Sequence, residues 1–369
     1  MERTVQYKDD WEKSRERFLA FWEREIVDRC CIAVYAPSAK ALFSPPPTAP
    51  ALQTEEELRR YWLDPEWSLQ RKLAWFERTC YGGEAYPATT MCVGASAMAA
   101  FYGSPVEYRA DTAWFHPAID NLETFDWDVD IENAPLYRET IENTRYFAQE
   151  CRGRYLVGLP ELGSATDDLS LLRGMQPLVY DMIESPDAVK RGIAALVDTW
   201  LRVHRQLFDI ARPCNDGGCC IPWMQTWAPG PHYQMSCDFS TVLSPAMFEE
   251  FIIPELQRYM EINTYSVYHW DGPDEVKHLD ALLELKELKA IQWTPGAGQP
   301  PTASPRWIPL YKRIQAEGKR LILPFVERDE VEPLLAQLSS RGLFLRVTSA
   351  SSEEEARDLL KKVAKWTRE

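Results

Sequence analysis

The chain has 369 residues, of which 45% are hydrophobic, and its formal net charge is −15 at pH 7. The length fits one α/β barrel with insertions. The negative charge argues against nucleic acid and an anionic membrane as partners, and no run approaches the ~20 apolar residues of a membrane span. The charged N-terminus lacks the apolar stretch of a signal peptide, so we expect reduced thiols and a cytoplasmic protein.

Eight apolar segments with helices between them are predicted as strands. In chain order they are 30–35, 88–93, 155–159, 219–225, 266–270, 290–293, 320–325 and 343–347. The predicted helices are 10–24, 55–61, 66–79, 135–150, 169–173, 177–184, 186–211, 244–263 with a kink at Pro254, 274–285, 307–316, 331–339 and 352–367. Segment 101–132 is predicted as an irregular insertion and 226–240 as a loop.

This alternation predicts a (β/α)8 TIM barrel in which residues 1–369 form a single domain with an N-terminal helical extension and long insertions. The alternative fold is an open doubly wound sheet. No G-x-G-x-x-G sequence follows the first predicted strand, however, and this absence argues against a dinucleotide-binding fold.

His269 and Asp271 are the first candidates for catalytic residues. The strand at 266–270, the Gly272-Pro273 break, a helix and the strand at 290–293 form a βαβ unit, which implies a parallel sheet. Alternate side chains of a strand share a face, so His269 and Asp271 point the same way if the chain stays extended. They would then lie at the carboxyl end of the strand, where α/β folds place their chemistry. The alternative is that Asp271 caps the next helix and His269 is a hydrogen-bonded core residue.

Glu161 and Asp238 are further candidates for acid/base residues, because both lie in predicted loops after strands. An ordinary helix N-terminal carboxylate explains Glu161 nearly as well. The candidate pocket residues are aromatic or imidazole side chains that follow strands or lie within them. They are Trp223, Trp227, His232, Tyr233, Trp270 and Trp293. Most Trp residues simply pack, but a cluster after strand ends would suit a flat or ring-shaped ligand.

Arg346 lies inside the last apolar strand and is a candidate substrate-binding residue. A buried guanidinium needs an anion, and either Asp271 or a substrate carboxylate would supply one. The alternative is an arginine on an exposed face of the strand.

Three segments resemble the uroporphyrinogen decarboxylase superfamily. They are LLRGMQPLVYDMIESPDAVKRGI at 171–193, CDFSTVLSPAMFEEFIIPEL at 237–256, and YHWDG at 268–272 followed by AIQWTPGAG at 290–298. The resemblance implies a TIM barrel and does not select a member. The superfamily includes the haem-pathway decarboxylase and the zinc-dependent methyltransferases that act on methylated corrinoid proteins and coenzyme M.

The chain departs from the decarboxylase at the substrate-binding segments. An Arg-Gln-Ala-Gly-Arg-Tyr segment follows the first strand of that enzyme, whereas residues 35–40 here read Tyr-Ala-Pro-Ser-Ala-Lys. Its Gly-His-Gly segment after the last strand is replaced by Arg-Val-Thr-Ser-Ala at 346–350. Without those arginines, a chain of charge −15 is poorly suited to the polycarboxylate uroporphyrinogen, and we do not expect that activity.

The resemblance to the methyltransferases implies a metal site. Those enzymes bind zinc through His-x-Cys at the end of the fifth strand and a Cys after the last strand; here the first element is His269-Trp270-Asp271, and the second Cys is missing. Zinc accepts His and Asp as well as Cys. We therefore expect zinc or another divalent metal at His269 and Asp271, with Cys237 as a third ligand and Glu161, His232 and Asp238 as alternatives.

The function implied is metal-assisted methyl transfer on a small organic molecule at the carboxyl ends of the strands. A separate corrinoid protein is the implied partner, and a homodimer is compatible. Bound cobalamin is not expected, because Val267 occupies the Asp position of the corrinoid-binding D-x-H-x-x-G sequence. One alternative is decarboxylation of a smaller acid by His269 with Asp271 or Asp238. The other is a non-catalytic barrel that binds a sugar or an aryl compound.

Overall fold

The computed structural model describes residues 5–40, 47–48, 51–91, 93–94 and 96–368. Its strands are β1 Cys31–Pro37, β2 Thr79–Gly83, β3 Ala88–Thr89, β4 Val106–Tyr108, β5 Ala113–Phe115, β6 Leu156–Val157, β7 Cys219–Ile221, β8 Thr226–Ala228, β9 Gln234–Met235, β10 Val267–Asp271, β11 Ala290–Thr294, β12 Arg320–Val326 and β13 Leu343–Val347. Seven of them form one sheet in the order β2-β1-β13-β12-β11-β10-β9.

The large sheet is parallel from β1 through β13 to β9, and β2 joins its edge antiparallel to β1. The short strands β3 and β6 pair with each other in parallel, while β4–β5 and β7–β8 are antiparallel pairs. The architecture is therefore mixed α/β with a large, mainly parallel sheet, and a TIM barrel is compatible with it.

The α-helices connect and cover the strands. They are α1 Trp11–Glu23, α2 Glu55–Leu63, α3 Pro65–Glu77, α4 Ala97–Phe101, α5 Pro135–Cys151, α6 Ala165–Arg173, α7 Met175–Glu184, α8 Pro186–Ala211, α9 Pro245–Met247, α10 Ile253–Met260, α11 Leu279–Glu284, α12 Ile308–Ala316, α13 Val331–Leu335 and α14 Glu353–Trp366. Within the described residues, none of the helices combines the length and hydrophobicity needed to cross a lipid bilayer.

Several predicted elements differ from the observed ones. The segment 219–225 is not one strand: β7 ends at Ile221, before Pro222, and the chain turns back into β8. A proline cannot donate to a central ladder, which accounts for the early end. Strands β8 and β9 lie in the predicted loop 226–240, and the β4–β5 hairpin lies in the predicted insertion.

Two further differences concern element ends. The strand predicted at 88–93 is described as a strand only at Ala88–Thr89, and residue 92 lies outside the described residues. The helix predicted at 244–263 is interrupted by a π-helical turn at Phe248–Ile252. Pro254 lacks the N–H that a regular helix would use at this point, so the wider turn accommodates the break.

Helix α1 packs across the amino ends of the last two strands. Phe18 and Phe21 contact Phe344 of β13 with ring centroids 5.9 and 6.0 Å apart. The Trp22 indole donates to the Trp227 carbonyl at 2.9 Å. This aromatic contact leaves the opposite, carboxyl ends of the strands for a site.

A buried ion cluster joins α1, β1 and the end of β2. Glu84 is fully buried and accepts two hydrogen bonds from the Arg29 guanidinium, both at 2.7 Å. The same carboxylate accepts from the Ile32 backbone N–H at 2.7 Å and pairs with Arg17 at 3.3 Å. The Glu84 carboxylate thus satisfies donors from three segments at once.

We predict that Glu84→Ala lowers the free energy of unfolding by about 3–5 kcal/mol, because it leaves the Arg29 charge buried and unpaired. Chemical denaturation at pH 7 measures this change. The control is Glu12→Ala, which removes the half-exposed Glu12–Arg15 pair (2.9 Å) and should cost no more than about 1 kcal/mol. Equal effects of the two substitutions would contradict the role given to Glu84.

Candidate active site

A cavity of about 320 Å³ lies at the carboxyl ends of the parallel strands. Strand β10 continues to Asp271, so His269 and Asp271 project from the same face. Both line the cavity, which we call the carboxyl cavity. Its other lining residues come from the strands β9, β11 and β12 and from strand-end loops. They are Glu161, Gly163, Trp223, Tyr233, Gln234, Ser236, Asp238, Thr294 and Phe325.

The His269 ring is held by its neighbours on β11 and by an aromatic side chain. Gln292 lies opposite His269 in the parallel register, and its amide oxygen contacts Nδ1. The amide nitrogen of Gln292 donates to Thr294 Oγ1 at 2.8 Å, which assigns the amide oxygen to the imidazole. The Nδ1–H of His269 then donates to Gln292, and Nε2 of the neutral ring is the proton acceptor. The Trp223 ring packs edge-on at 5.3 Å.

Asp271 ends β10 in a half-buried position. Burial raises the pKa of the Asp271 carboxyl, a positive charge on His269 lowers it, and the nearby Asp238 carboxylate raises it. Among the described residues, the Oδ1 atom of Asp271 has no hydrogen-bond partner. Gly272 follows with φ of +81°, a conformation that lets the chain turn away and leaves Asp271 at the strand end.

Glu161 contributes a second carboxyl group from the loop after β6. Burial, with the Asp238 charge as a smaller cause, raises the pKa of Glu161 to about 7. A carboxylic acid with this pKa is partly protonated at neutral pH, so it can donate a proton as well as accept one.

Two buried carboxyl groups outside the cavity lining belong to the same cluster, and the sequence did not single them out. Burial and the charge of Asp238 raise the pKa of Glu275 to about 9 and that of Asp167 to about 6. Asp167 accepts from the Phe239 N–H at 2.8 Å, whereas Glu275 Oε1 has no partner among the described residues. Both residues stand at helix beginnings, where a carboxylate is ordinary, so the sequence carried no signal for them.

Gln292 was also missed, although a signal existed. It is the one amide inside the apolar run AIQW of β11, and it is fully buried. A buried polar side chain needs a partner. Because β10 and β11 are neighbours in the parallel sheet, that partner could have been expected on β10, where His269 lies.

Some predicted site residues lie in the core instead of the carboxyl cavity. Trp270 and Trp293 occupy the strand faces opposite His269 and Gln292 and pack on each other at 4.6 Å. Trp227 packs against α1. His232 donates from Nδ1 to the Tyr265 carbonyl at 2.6 Å and accepts at Nε2 from the Thr226 hydroxyl at 2.8 Å, and burial lowers its pKa to about 4. Tyr233 does line the carboxyl cavity, and Arg346 lines an adjoining one.

The donor set for a metal is not assembled. Cys237 is fully buried, burial raises the pKa of its thiol well above the ordinary value, and it does not line the cavity. In the part of the chain that the structure describes, no three His, Cys, Asp or Glu side chains are arranged to hold a metal ion. His269, Asp271 and Cys237 therefore do not fit the zinc site that the resemblance implies.

We predict that Glu275→Gln stabilises the protein at pH 8. The folded pKa of about 9 exceeds the ordinary value of 4.5, so the stabilising effect of the protonated group is complete below pH 4.5 and is lost as pH rises towards 9. At pH 8 the variant should gain on the order of 2–4 kcal/mol in unfolding free energy, and at pH 5, just above the ordinary pKa of 4.5, the gain should fall below about 1 kcal/mol. Denaturation at both pH values tests this; Glu249→Gln, an exposed position, is the control, and a gain at pH 5 as large as at pH 8 would contradict it.

Comparison with known proteins shows a shared fold. No protein-family model and no curated protein matches the chain. Among solved structures, the chain is similar to a methyltransferase from Methanosarcina mazei, with 13% sequence identity and a TM-score of 0.59. The superposition covers 95% of this chain and 98% of that one. The mixed α/β architecture described above is therefore one that a known methyltransferase also has.

Proposed function

We propose that this chain is an enzyme that transfers a methyl group from a small organic molecule in the carboxyl cavity. The observation that carries the proposal is that the His269 imidazole and the carboxyl groups of Glu161 and Asp271 line one cavity at the strand ends. The fold shared with a methyltransferase supports it. Membership of the uroporphyrinogen decarboxylase superfamily and a closed eight-stranded barrel are parts of the same proposal.

Proton transfer is what these side chains would contribute. When a methyl group moves from an oxygen or nitrogen to an acceptor, the bonding electrons stay on the heteroatom, which then needs a proton. Glu161, with a pKa of about 7, would supply that proton. If the acceptor is a thiol, Nε2 of His269 would remove its proton, so that thiol and methyl donor give a thioether and the demethylated alcohol or amine.

The methyl acceptor is proposed from the resemblance alone. A thiol and a separate corrinoid protein are the two acceptor types that the resemblance implies. The described residues offer no third ligand that would complete a metal site with His269 and Asp271, so the proton transfers proposed above are assigned to the side chains themselves. Asp271 would instead orient the substrate or hold a proton beside His269, since burial already raises its pKa.

The direct test is transfer of a labelled methyl group. The purified protein is incubated with ¹³C-methyl-labelled methanol, N,N-dimethylglycine or 4-methoxybenzoate, and with cob(I)alamin or a simple thiol as acceptor. Mass spectrometry then detects label in the acceptor, with and without a chelator to show whether a divalent metal contributes. His269→Ala should abolish the transfer, whereas His116→Ala, at an exposed surface position, should not. Absence of label with every pair, or full activity of His269→Ala, would contradict the proposal.

The pH profile tests the role of Glu161 separately. If protonated Glu161 is the acid, kcat/KM falls about tenfold per pH unit above its pKa of about 7. Glu161→Gln should lower kcat/KM roughly 10²–10⁴-fold and remove that descending limb. Glu249→Gln serves as the control. A descending limb that survives in Glu161→Gln would assign the proton to another group.

Decarboxylation is the second candidate, because the His269 imidazole and the Glu161 carboxylic acid are also suited to protonating the carbanion that remains after CO₂ leaves. It needs the imidazole and the acid of the carboxyl cavity and nothing else from the chain. Assays with carboxyl-¹³C probes separate the two reactions, since labelled CO₂ forms only in the second.

A further inference from the structure

A second cavity of about 310 Å³ adjoins the carboxyl cavity. Glu161, Trp223 and Gln234 line both, so the two share a wall. The far end of the second cavity is formed by Tyr35 and Arg346, and we call it the arginine cavity. A small molecule that extends past these shared residues, from one cavity into the other, would meet carboxyl groups at one end and a guanidinium at the other.

Arg346 has the features of an anion-binding residue that lacks its anion. It projects from β13, where one guanidinium nitrogen donates to the Pro324 carbonyl at 3.2 Å. The guanidinium lies 5.5 Å from the centroid of the Tyr35 ring. Its Nε atom is inaccessible to solvent and has no acceptor among the described residues, and no described Asp or Glu forms an ion pair with it. The side chain is half-buried and lines the arginine cavity, so an anion bound there would pair with the guanidinium charge.

Trp223 supplies a second donor on the same cavity. Its indole Nε1 is also inaccessible to solvent and has no acceptor among the described residues. Buried donors in folded proteins nearly always have acceptors. Trp223 and Arg346 both line the arginine cavity, so a ligand there with oxygen atoms would bring acceptors close to both side chains.

The charge distribution orients that ligand. An anionic group is repelled by Asp238 and Asp271, which line only the carboxyl cavity, and it is attracted to Arg346 at the far end of the arginine cavity. The walls of the arginine cavity also include Trp75, whose ring lies 5.9 Å from that of Tyr35. Aromatic walls of this kind favour an apolar or flat body between the two polar ends of the ligand.

We propose that the methyl donor is a small carboxylate, held by Arg346 and Trp223 so that its methylated oxygen or nitrogen enters the carboxyl cavity. The identity of the ligand as a methyl donor rests on the proposed function, but the anion subsite itself is tested by binding alone. No methyl acceptor and no turnover are needed to measure it.

The experiment is isothermal titration calorimetry with matched acids and amides. 4-Methoxybenzoate is compared with 4-methoxybenzamide, and N,N-dimethylglycine with its amide, because each amide keeps the shape and loses the charge. The native protein should prefer each acid. Arg346→Gln should weaken binding of the acid by about 10- to 100-fold, the amount expected for lost hydrogen bonds to a charged group, and should leave amide binding unchanged. Arg191→Gln, an exposed arginine on α8, should match the native protein.

Further variants keep the test decisive if Arg346→Gln does not fold. Trp223→Phe keeps a ring and removes only the indole donor, and it should weaken binding of the acid several-fold. Arg346→Lys keeps the charge and loses the Nε donor, and it should bind the acid between the native and Gln levels. Thermal melts check that each variant is folded.

Three results would overturn the subsite: equal affinity for acid and amide, a preference for acid that survives both Arg346→Gln and Trp223→Phe, or no binding of either acid. Failure of the subsite is distinguishable from failure of the proposed function. Label transfer from 4-methoxybenzoate that is insensitive to Arg346→Gln would support methyl transfer without the subsite. Selective binding of the acid without any label transfer would support the subsite without methyl transfer.

Discussion

The crowding of carboxyl groups at one end of the sheet is the constraint on which the site depends. Burial raises the pKa of Glu161, Asp167, Asp271 and Glu275, and the charge of Asp238 raises each of them further. Among the described residues, those that line the carboxyl cavity include one imidazole and no lysine or arginine. These groups therefore retain protons at a pH where exposed carboxyl groups have lost theirs, and the site is better equipped to give protons than to bind anions.

The parallel register is what places the chemistry. His269 and Gln292 stand opposite each other on β10 and β11, as do Asp271 and Thr294 one pleat further on. The amide of Gln292 fixes the imidazole, and its own second contact is to Thr294. A shift of β10 by one residue would turn His269 to the core face of the sheet, away from Gln292 on β11. The rigid strands, and not the loops, thus set the position of the proton-transfer group.

The sequence was sufficient to predict the strands that consist of long apolar runs. It was also sufficient to predict side-chain directions that follow from the two-residue period of a strand. The predicted strands at 290–293, 320–325 and 343–347 lie within β11, β12 and β13, and the two-residue period placed His269 and Asp271 on one face. The short strands β3 and β6 lie within the predicted strands at 88–93 and 155–159. The strands β4, β5, β8 and β9 escaped prediction, because two or three residues carry little periodicity. Strand β2 escaped because its sequence TCYGG ends in two glycines, which ordinarily signal a turn.

Residues that tertiary contacts bring to the site from distant parts of the chain could not be predicted from the sequence. Glu275 and Asp167 join the cluster because the beginnings of two separate helices lie close to Asp238, and nothing in the local sequence indicates that proximity. The opposite error affected Trp227 and His232, which looked like loop residues because the turn at Pro222 was not recognised. Their burial depends on contacts with Trp22 of α1, roughly 200 positions away in the chain.

The pairing of β1 with β13 has a consequence for how the chain reaches its native state on the ribosome. The Cys30 thiol contacts the carbonyl of Leu343, 313 residues later, and β1 sits between its partners only when β13 has emerged. At ordinary translation rates this interval is roughly 15–60 s. During that time the aromatic face of α1 lacks its Phe344 partner, and chaperones that shield exposed apolar surface would act on this nascent segment.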